Sequence, residues 1–185
     1  MFSRPAWAGP GKVERFEQAL LPHLDAAFNL ARWLTGNQQD AEDVVQEAYL
    51  RALTFFDSFR GADGRAWLLT IVRNTCYTWL RKNRPNEVSV AFDEELHTTG
   101  PEPGNPETLA LQSADRRLLA TVLEELPREF REVLILREWE GLSYQEIASV
   151  AGIRIGTVMS RLARARERIA RHLHDRLSKE PKSGL

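Results

Sequence analysis

The sequence predicts an all-α protein made of two small helical domains joined by a flexible acidic linker. Three observations carry this expectation. Apolar residues recur at the three- and four-residue spacing of helix faces on both sides of the chain's middle. No β-rich segment interrupts them. Between them, "NRPNEVSVAFDEELHTTGPEPGNPETLA" collects four prolines and two glycines and breaks every helical period. Its short "VSVAF" has strand character but no second strand to pair with. The expected organisation is a first domain over 12–84, a linker over 85–114 and a second domain over 115–175.

In the first domain, "HLDAAFNLARWLTGN" has helical apolar spacing and stops at Gly36, a residue suited to the left-handed turn after a helix. In the next helix, "DAEDVVQEAYLRALTFF", Ala41, Val45, Ala48 and Ala52 share one face and leave Asp43, Glu47, Leu50 and Thr54 on the other. An acidic face with one leucine suits a partner surface, and it suits plain solvation equally. After the loop "DSFRGADG", in which "GADG" reads as a turn, "RAWLLTIVRNTCYTWLRKN" directs Leu68, Val72, Cys76 and Trp79 inward. Ala66, Thr70, Arg73, Asn74, Tyr77 and Arg81 then point outward.

In the second domain, Pro127 and Gly141 punctuate the helices. Ser143 and Glu146 form the reciprocal pair of a capping box, with Leu142 and Ile147 as its hydrophobic staple, so a short helix starts at Tyr144. Gly152 turns the chain, and a longer helix is expected from Gly156 or Thr157. Its core face is Val158, Leu162, Ala165 and Ile169. Thr157, Ser160, Arg161, Arg164, Arg168 and Arg171 are assigned to the opposite face, with Arg166 at the flank. Arginines alone fit a solvated bundle helix as well as a ligand-gripping one. The capped short helix, the glycine turn and the one-sided arginines together describe a helix-turn-helix, whose second helix fits the major groove of DNA.

Composition narrows the function classes. A chain of 185 residues with 28% charged and 43% hydrophobic residues suits a soluble globular protein. No apolar run approaches the ~20 residues of a membrane span. "MFSRPAWAGPGK" lacks the apolar stretch of a secretory signal and Cys76 is the single cysteine, so a cytoplasmic protein without internal disulfides is expected. The formal net charge of -1 gives no long-range attraction for a polyanion, so any nucleic-acid role rests on local patches. From Arg60 to Arg84 only Asp63 interrupts six basic residues, and from Arg154 to Arg171 only Glu167 interrupts six arginines. From Pro85 to Asp115 there are seven carboxylates and no lysine or arginine. His23, His97, His172 and His174 have no metal-ligand spacing, and no phosphate-cradling glycine loop with its lysine is present. No metal, no cofactor and no catalytic residue are expected.

These segments, in this order, resemble the bacterial RNA polymerase sigma factors of the extracytoplasmic-function (ECF) group of the sigma-70 family. "DAEDVVQEAYLRA" resembles the polymerase-contacting helix, "FRGADGRAWLLTIVRNTCYTWLRKN" the minus-ten recognition segment, and "LPREFREVLILREWEGLSYQEIASVAGIRIGTVMSRLARARERI" the minus-thirty-five domain. The resemblance implies a non-enzymatic factor that brings core RNA polymerase to promoter DNA and helps open it, in a stress or envelope response. Asp40, Asp43, Gln46, Glu47, Leu50 and Arg51 would dock on the clamp helices of the large polymerase subunit. Arg60, Asp63, Arg65 and Trp67 would form or border a pocket for an unpaired base of the melted non-template strand. Arg73, Asn74, Tyr77, Arg81 and Lys82 would line that strand, basic groups tracking phosphates while an aromatic stacks on bases. In a small bundle Trp67 and Trp79 are more often core than stacking residues, which leaves Tyr77 as the better platform.

Thr157, Met159, Ser160, Arg161, Ala163, Arg164 and Arg168 align with the groove-facing segment. Met159 and Ala163 depart from the larger or basic residues frequent there, and small or apolar side chains favour thymine methyls over guanine acceptors. The acidic linker would thread basic polymerase surfaces ahead of the RNA, and an anti-sigma factor is an expected partner. Two alternatives remain at this point: a sigma-like decoy that binds an anti-sigma factor, and a stand-alone helix-turn-helix regulator.

Overall fold

The computed structural model describes residues 11–61, 63–85 and 118–179. All regular structure among them is helical. The tether expected over 85–114, with its "VSVAF", lies outside the described residues apart from Pro85. The chain divides into two compact units, Met1–Lys82 and Asn83–Leu185.

The first unit contains α1 (Lys12–Leu20), α2 (Leu24–Thr35), α3 (Gln38–Phe55) and α4 (Gly64–Asn83). Gly36 ends α2 at φ 87°, a conformation that favours a residue without Cβ, and its N–H donates to Arg32 O. Asn37 then caps α3 by accepting from the Asp40 N–H at 2.8 Å. The tight turn folds α3 back on α2, and Leu30, Leu34, Ala41, Val44 and Ala48 are buried. Each large aliphatic side chain removed from water contributes about 1.5–3 kcal/mol.

Helix α4 buries Leu68, Val72 and Cys76, as the spacing requires, together with Leu69 and Leu80. Trp79 departs from the expectation, being only half-buried near the helix end, where Leu80 takes the inward place. The entry to α4 is fixed by close packing. A Cβ on Gly64 would meet Ala19 O of α1 at 2.7 Å, so only glycine lets the two helices approach this far. Asp63 caps the same end, accepting from Arg65 N at 3.0 Å and Ala66 N at 3.2 Å. "GADG" is therefore more than a turn: it seats α4 on α1.

The second unit contains a helix over 118–124 (α5), α6 (Arg128–Leu134) continuing into a π-helical turn (Ile135–Trp139), α7 (Tyr144–Ala151) and α8 (Ile155–Lys179). Pro127 separates α5 from α6, and Arg131 holds the break closed. Its guanidinium, buried, donates to Leu123 O at 2.8 Å, to Leu126 O at 3.1 Å and to Glu124 O. Leu123 O also accepts from Leu126 N at 3.2 Å, and a side chain that adds hydrogen bonds to the carbonyls at a helix end stabilises the corner. The capping box on α7 forms in full: Ser143 N donates to Glu146 Oε2 at 2.6 Å, and Glu146 N donates to Ser143 Oγ at 3.2 Å. Gly152 turns the chain at φ 67°. Helix α8 starts at Ile155, slightly earlier than expected, because Arg154 O already accepts from Thr157 N at 2.9 Å and Val158 N at 3.1 Å. Val158, Leu162 and Ala165 are buried, the half-buried Ile169 continuing the row.

Candidate nucleic-acid interface

Three surfaces hold the residues singled out from the sequence, two on the first unit and one on the second. On α3, Asp43, Gln46, Glu47 and Leu50 are exposed, Leu50 keeping 63% of its surface. Glu47 pairs with Arg51, whose Nε lies 2.7 Å from Glu47 Oε1. Asp40 differs from the rest. It is half-buried and accepts from Asn37 Nδ2, which makes its carboxylate part of the helix cap. Behind this face Tyr49 Oη donates to Leu20 O at 2.9 Å and ties α3 to the end of α1. Burial, and then the charge of Asp25, push the Tyr49 phenol up to about 12.

On α4, Arg73, Asn74 and Tyr77 come together. The Arg73 guanidinium lies over the Tyr77 ring, 4.4 Å from its centroid, and Arg73 Nη1 donates to Asn74 Oδ1 at 3.5 Å. A cation over a partly exposed ring contributes about 0.5–1 kcal/mol and covers one ring face. Arg81 and Lys82 stand exposed in the last turn, where cations also suit the helix dipole. Arg60 is exposed and Arg65 half-buried at the start of the segment, while Asp63 is occupied as the α4 cap. Trp67 packs in an aromatic cluster, 4.9 Å from the Phe59 ring and 6.4 Å from Phe56, which itself meets Phe16 at 5.4 Å. Its role among the described contacts is packing, with part of the indole still exposed.

On α8, the arginines separate into different environments. Arg164 is exposed along with Met159, Ser160 and Ala163. Arg161 and Arg168 sit at the flank of the outer face rather than opposite the core: Arg161 and Thr157 are half-buried, and the Arg168 guanidinium lies 5.2 Å from the Phe130 ring centroid. Arg171 pairs with Glu167 at 2.9 Å. Arg166 reaches back to Glu138 at 2.7 Å, and its pKa is raised chiefly by that hydrogen bond, with Tyr144 as second partner. Arg137 donates to Leu142 O at 2.8 Å and lies over the Tyr144 ring at 5.1 Å. Sequence reasoning did not single out Gly64, Arg131, Glu138 or the exposed Ile155. Helix periodicity alone would have set Ile155 near the core face, three residues before Val158 and seven before Leu162, so its exposure was not legible in the sequence.

Among the described residues no group of three or more metal-binding side chains occurs, and no helix is long and apolar enough to cross a membrane.

Comparison with known proteins adds the following. The Sigma-70 region 2 family matches residues 20–85, and Sigma-70, region 4 matches residues 116–169. The ECF RNA polymerase sigma-E factor of Escherichia coli is 39% identical over 137 residues, 70% of this chain and 72% of that protein. The ECF RNA polymerase sigma factor SigE of Mycolicibacterium smegmatis is 32% identical over 158 residues, 85% of this chain; the chain spans 61% of that relative's length. Among solved structures, the sigma factor RpoE of Bartonella quintana, in complex with the anti-sigma factor NepR, aligns with a TM-score of 0.67 and 34% identity. The match covers 87% of this chain and 98% of that one. CnrH in complex with the cytosolic domain of CnrY aligns with a TM-score of 0.62 and 27% identity, over 92% and 94% of the two chains.

Proposed function

The chain belongs to the ECF sigma factors of the sigma-70 family, and from that premise we propose that it binds core RNA polymerase, directs it to promoters and helps open them, in a stress or envelope response. It acts by binding alone, in the cytoplasm, and the chemistry of RNA synthesis belongs to the polymerase. Residues 12–84 carry polymerase docking and the minus-ten element, residues 115–175 the minus-thirty-five element, and 85–114 form an anionic tether between them.

The observation that carries this reading is the coexistence in one chain of two differently built surfaces, each with a chemistry suited to nucleic acid. On α4 an arginine, an amide and an aromatic ring stand side by side, a chemistry suited to an unpaired strand. On α8 an exposed arginine and small side chains follow a capped helix and a glycine turn, a shape suited to the major groove. The exposed Asp43, Gln46, Glu47 and Leu50 supply a mixed acidic and apolar face for the polymerase, with Arg51 held against Glu47 and Asp40 holding the helix start. Arg60, Arg65, Arg81 and Lys82 track phosphates of the melted strand, with Asp63 and Trp67 acting through the shape of the loop. Thr157, Met159, Ser160, Arg161, Arg164 and Arg168 face or border the duplex. An anti-sigma factor that covers these faces is a further partner, in line with the complex in which RpoE was solved.

Run-off transcription with purified core polymerase on a promoter library tests the reading. Transcripts with defined start sites are expected only when the chain is added. Tyr77→Ala is expected to lower open-complex formation, since stacking on one base contributes about 1–3 kcal/mol. A decoy would yield no transcript at all.

A further inference from the structure

Over the first three turns of α8 the exposed surface is divided by chemistry. Arg161 and Arg164, with Arg154 just ahead of the helix, lie toward one side. Toward the other, Ile155, Gly156, Met159, Ser160 and Ala163 form a strip without a charge, and all five are exposed. Ile155 and Met159, one turn apart, retain 44% and 54% of their surface and so form an exposed apolar pair beside the arginines. Ser160 Oγ donates to Thr157 O at 3.0 Å, so its hydrogen is spent within the helix. Arg166, which would otherwise border the strip, is tied to Glu138 at 2.7 Å.

Gly156 adds an independent observation. It lies in the first turn of α8, its φ is not positive, and a Cβ placed on it would meet nothing within 4 Å. Neither backbone conformation nor internal packing calls for glycine, although glycine in a helix disfavours folding relative to alanine. A bare backbone at an exposed helix start allows something outside the protein to approach closely.

We propose that this uncharged strip is the base-reading edge of α8, with Ile155 and Met159 seated on the C5-methyl groups of thymines in the minus-thirty-five duplex while Gly156 lets the helix sit deep in the groove. The inference rests on the duplex-binding role given above and specifies how that role selects sequence. Thymine is the base that offers a methyl group in the major groove, and apolar side chains contact it favourably. The arginines on the neighbouring side supply the phosphate attraction that a strip without charge lacks.

The test uses holoenzyme assembled from the full chain and core polymerase, on a promoter chosen by selection from a randomised library. Each thymine of the minus-thirty-five element is replaced in turn by deoxyuridine, which removes only the methyl. At one or two positions the replacement is expected to weaken binding about fourfold, the effect of exposing one buried methyl. Ile155→Ala or Met159→Ala is expected to abolish the sensitivity at its own position. Both side chains are exposed, so unchanged thermal melting serves as the folding control. Gly156→Ala is expected to raise the melting temperature and yet weaken promoter binding. Uniform indifference to deoxyuridine, a sensitivity that survives both alanine variants, or a selected element without thymine would overturn the inference while leaving promoter recognition intact. Failure to bind any minus-thirty-five duplex, or indifference to Arg164→Gln, would instead overturn the duplex-binding role itself.

Discussion

Two arginines on one helix illustrate how a side chain's neighbours decide its work. Arg164 is exposed on the outer face of α8, whereas Arg166 is bound to Glu138 at 2.7 Å with Tyr144 as second partner. Removing a phosphate-contacting charge lowers the slope of log affinity against log salt by about 0.9. Arg164→Gln is expected to reduce that slope in holoenzyme–promoter binding, and Arg166→Gln to leave it unchanged while lowering the domain's thermal stability slightly. A reduced slope for Arg166→Gln would place it on the DNA. Helix periodicity set Arg164 on the outer face and Arg166 at the flank, but the partners of each were not legible in the sequence. What distinguishes them is the π-helical turn that brings Glu138 alongside, and Phe130 beneath Arg168. Tyr49 gives a pH-dependent prediction at the same scale. Its neutral form is favoured in the fold, so its contribution is complete below the ordinary phenol range and is lost as pH rises from about 10 toward about 12. The urea midpoint is expected to fall across that window, and to fall less steeply in Tyr49→Phe.

At the scale of elements, starts and stops were legible because they are local. Ser143, Glu146, Gly36 and Gly152 act on backbone groups within a few residues, and each occupies a cap or turn in the structure. Ser143→Ala is expected to cost about 1 kcal/mol in unfolding free energy and to reduce minus-thirty-five recognition in proportion, because α7 sets the turn from which α8 departs. Equal stability of this variant and the parent in urea titration would contradict the role given to the capping box. Distant approaches were not legible. Nothing near Gly64 in sequence reveals that Ala19 O lies where its Cβ would be, and nothing near Arg131 reveals the three carbonyls of the α5 end that it satisfies. The half-burial of Trp79 has the same origin, since periodicity gives a face but not where the neighbouring helices end.

For the whole molecule, charge is arranged in blocks. A net charge of -1 combines six basic residues from Arg60 to Arg84, seven carboxylates from Pro85 to Asp115 and six arginines from Arg154 to Arg171. Such a chain attracts duplex DNA weakly as a whole and strongly only where its patches are held in place. The free chain is therefore expected to show little promoter preference in a binding titration at physiological salt, and the holoenzyme a clear one. The most direct test of the central claim is run-off transcription on a selected promoter with core polymerase, comparing the parent chain with Arg73→Ala and Arg164→Gln. The account predicts a defined transcript from the parent, with Arg73→Ala deficient in opening and Arg164→Gln deficient in minus-thirty-five dependence. The same transcript from core polymerase alone, or none when the chain is added, would contradict it.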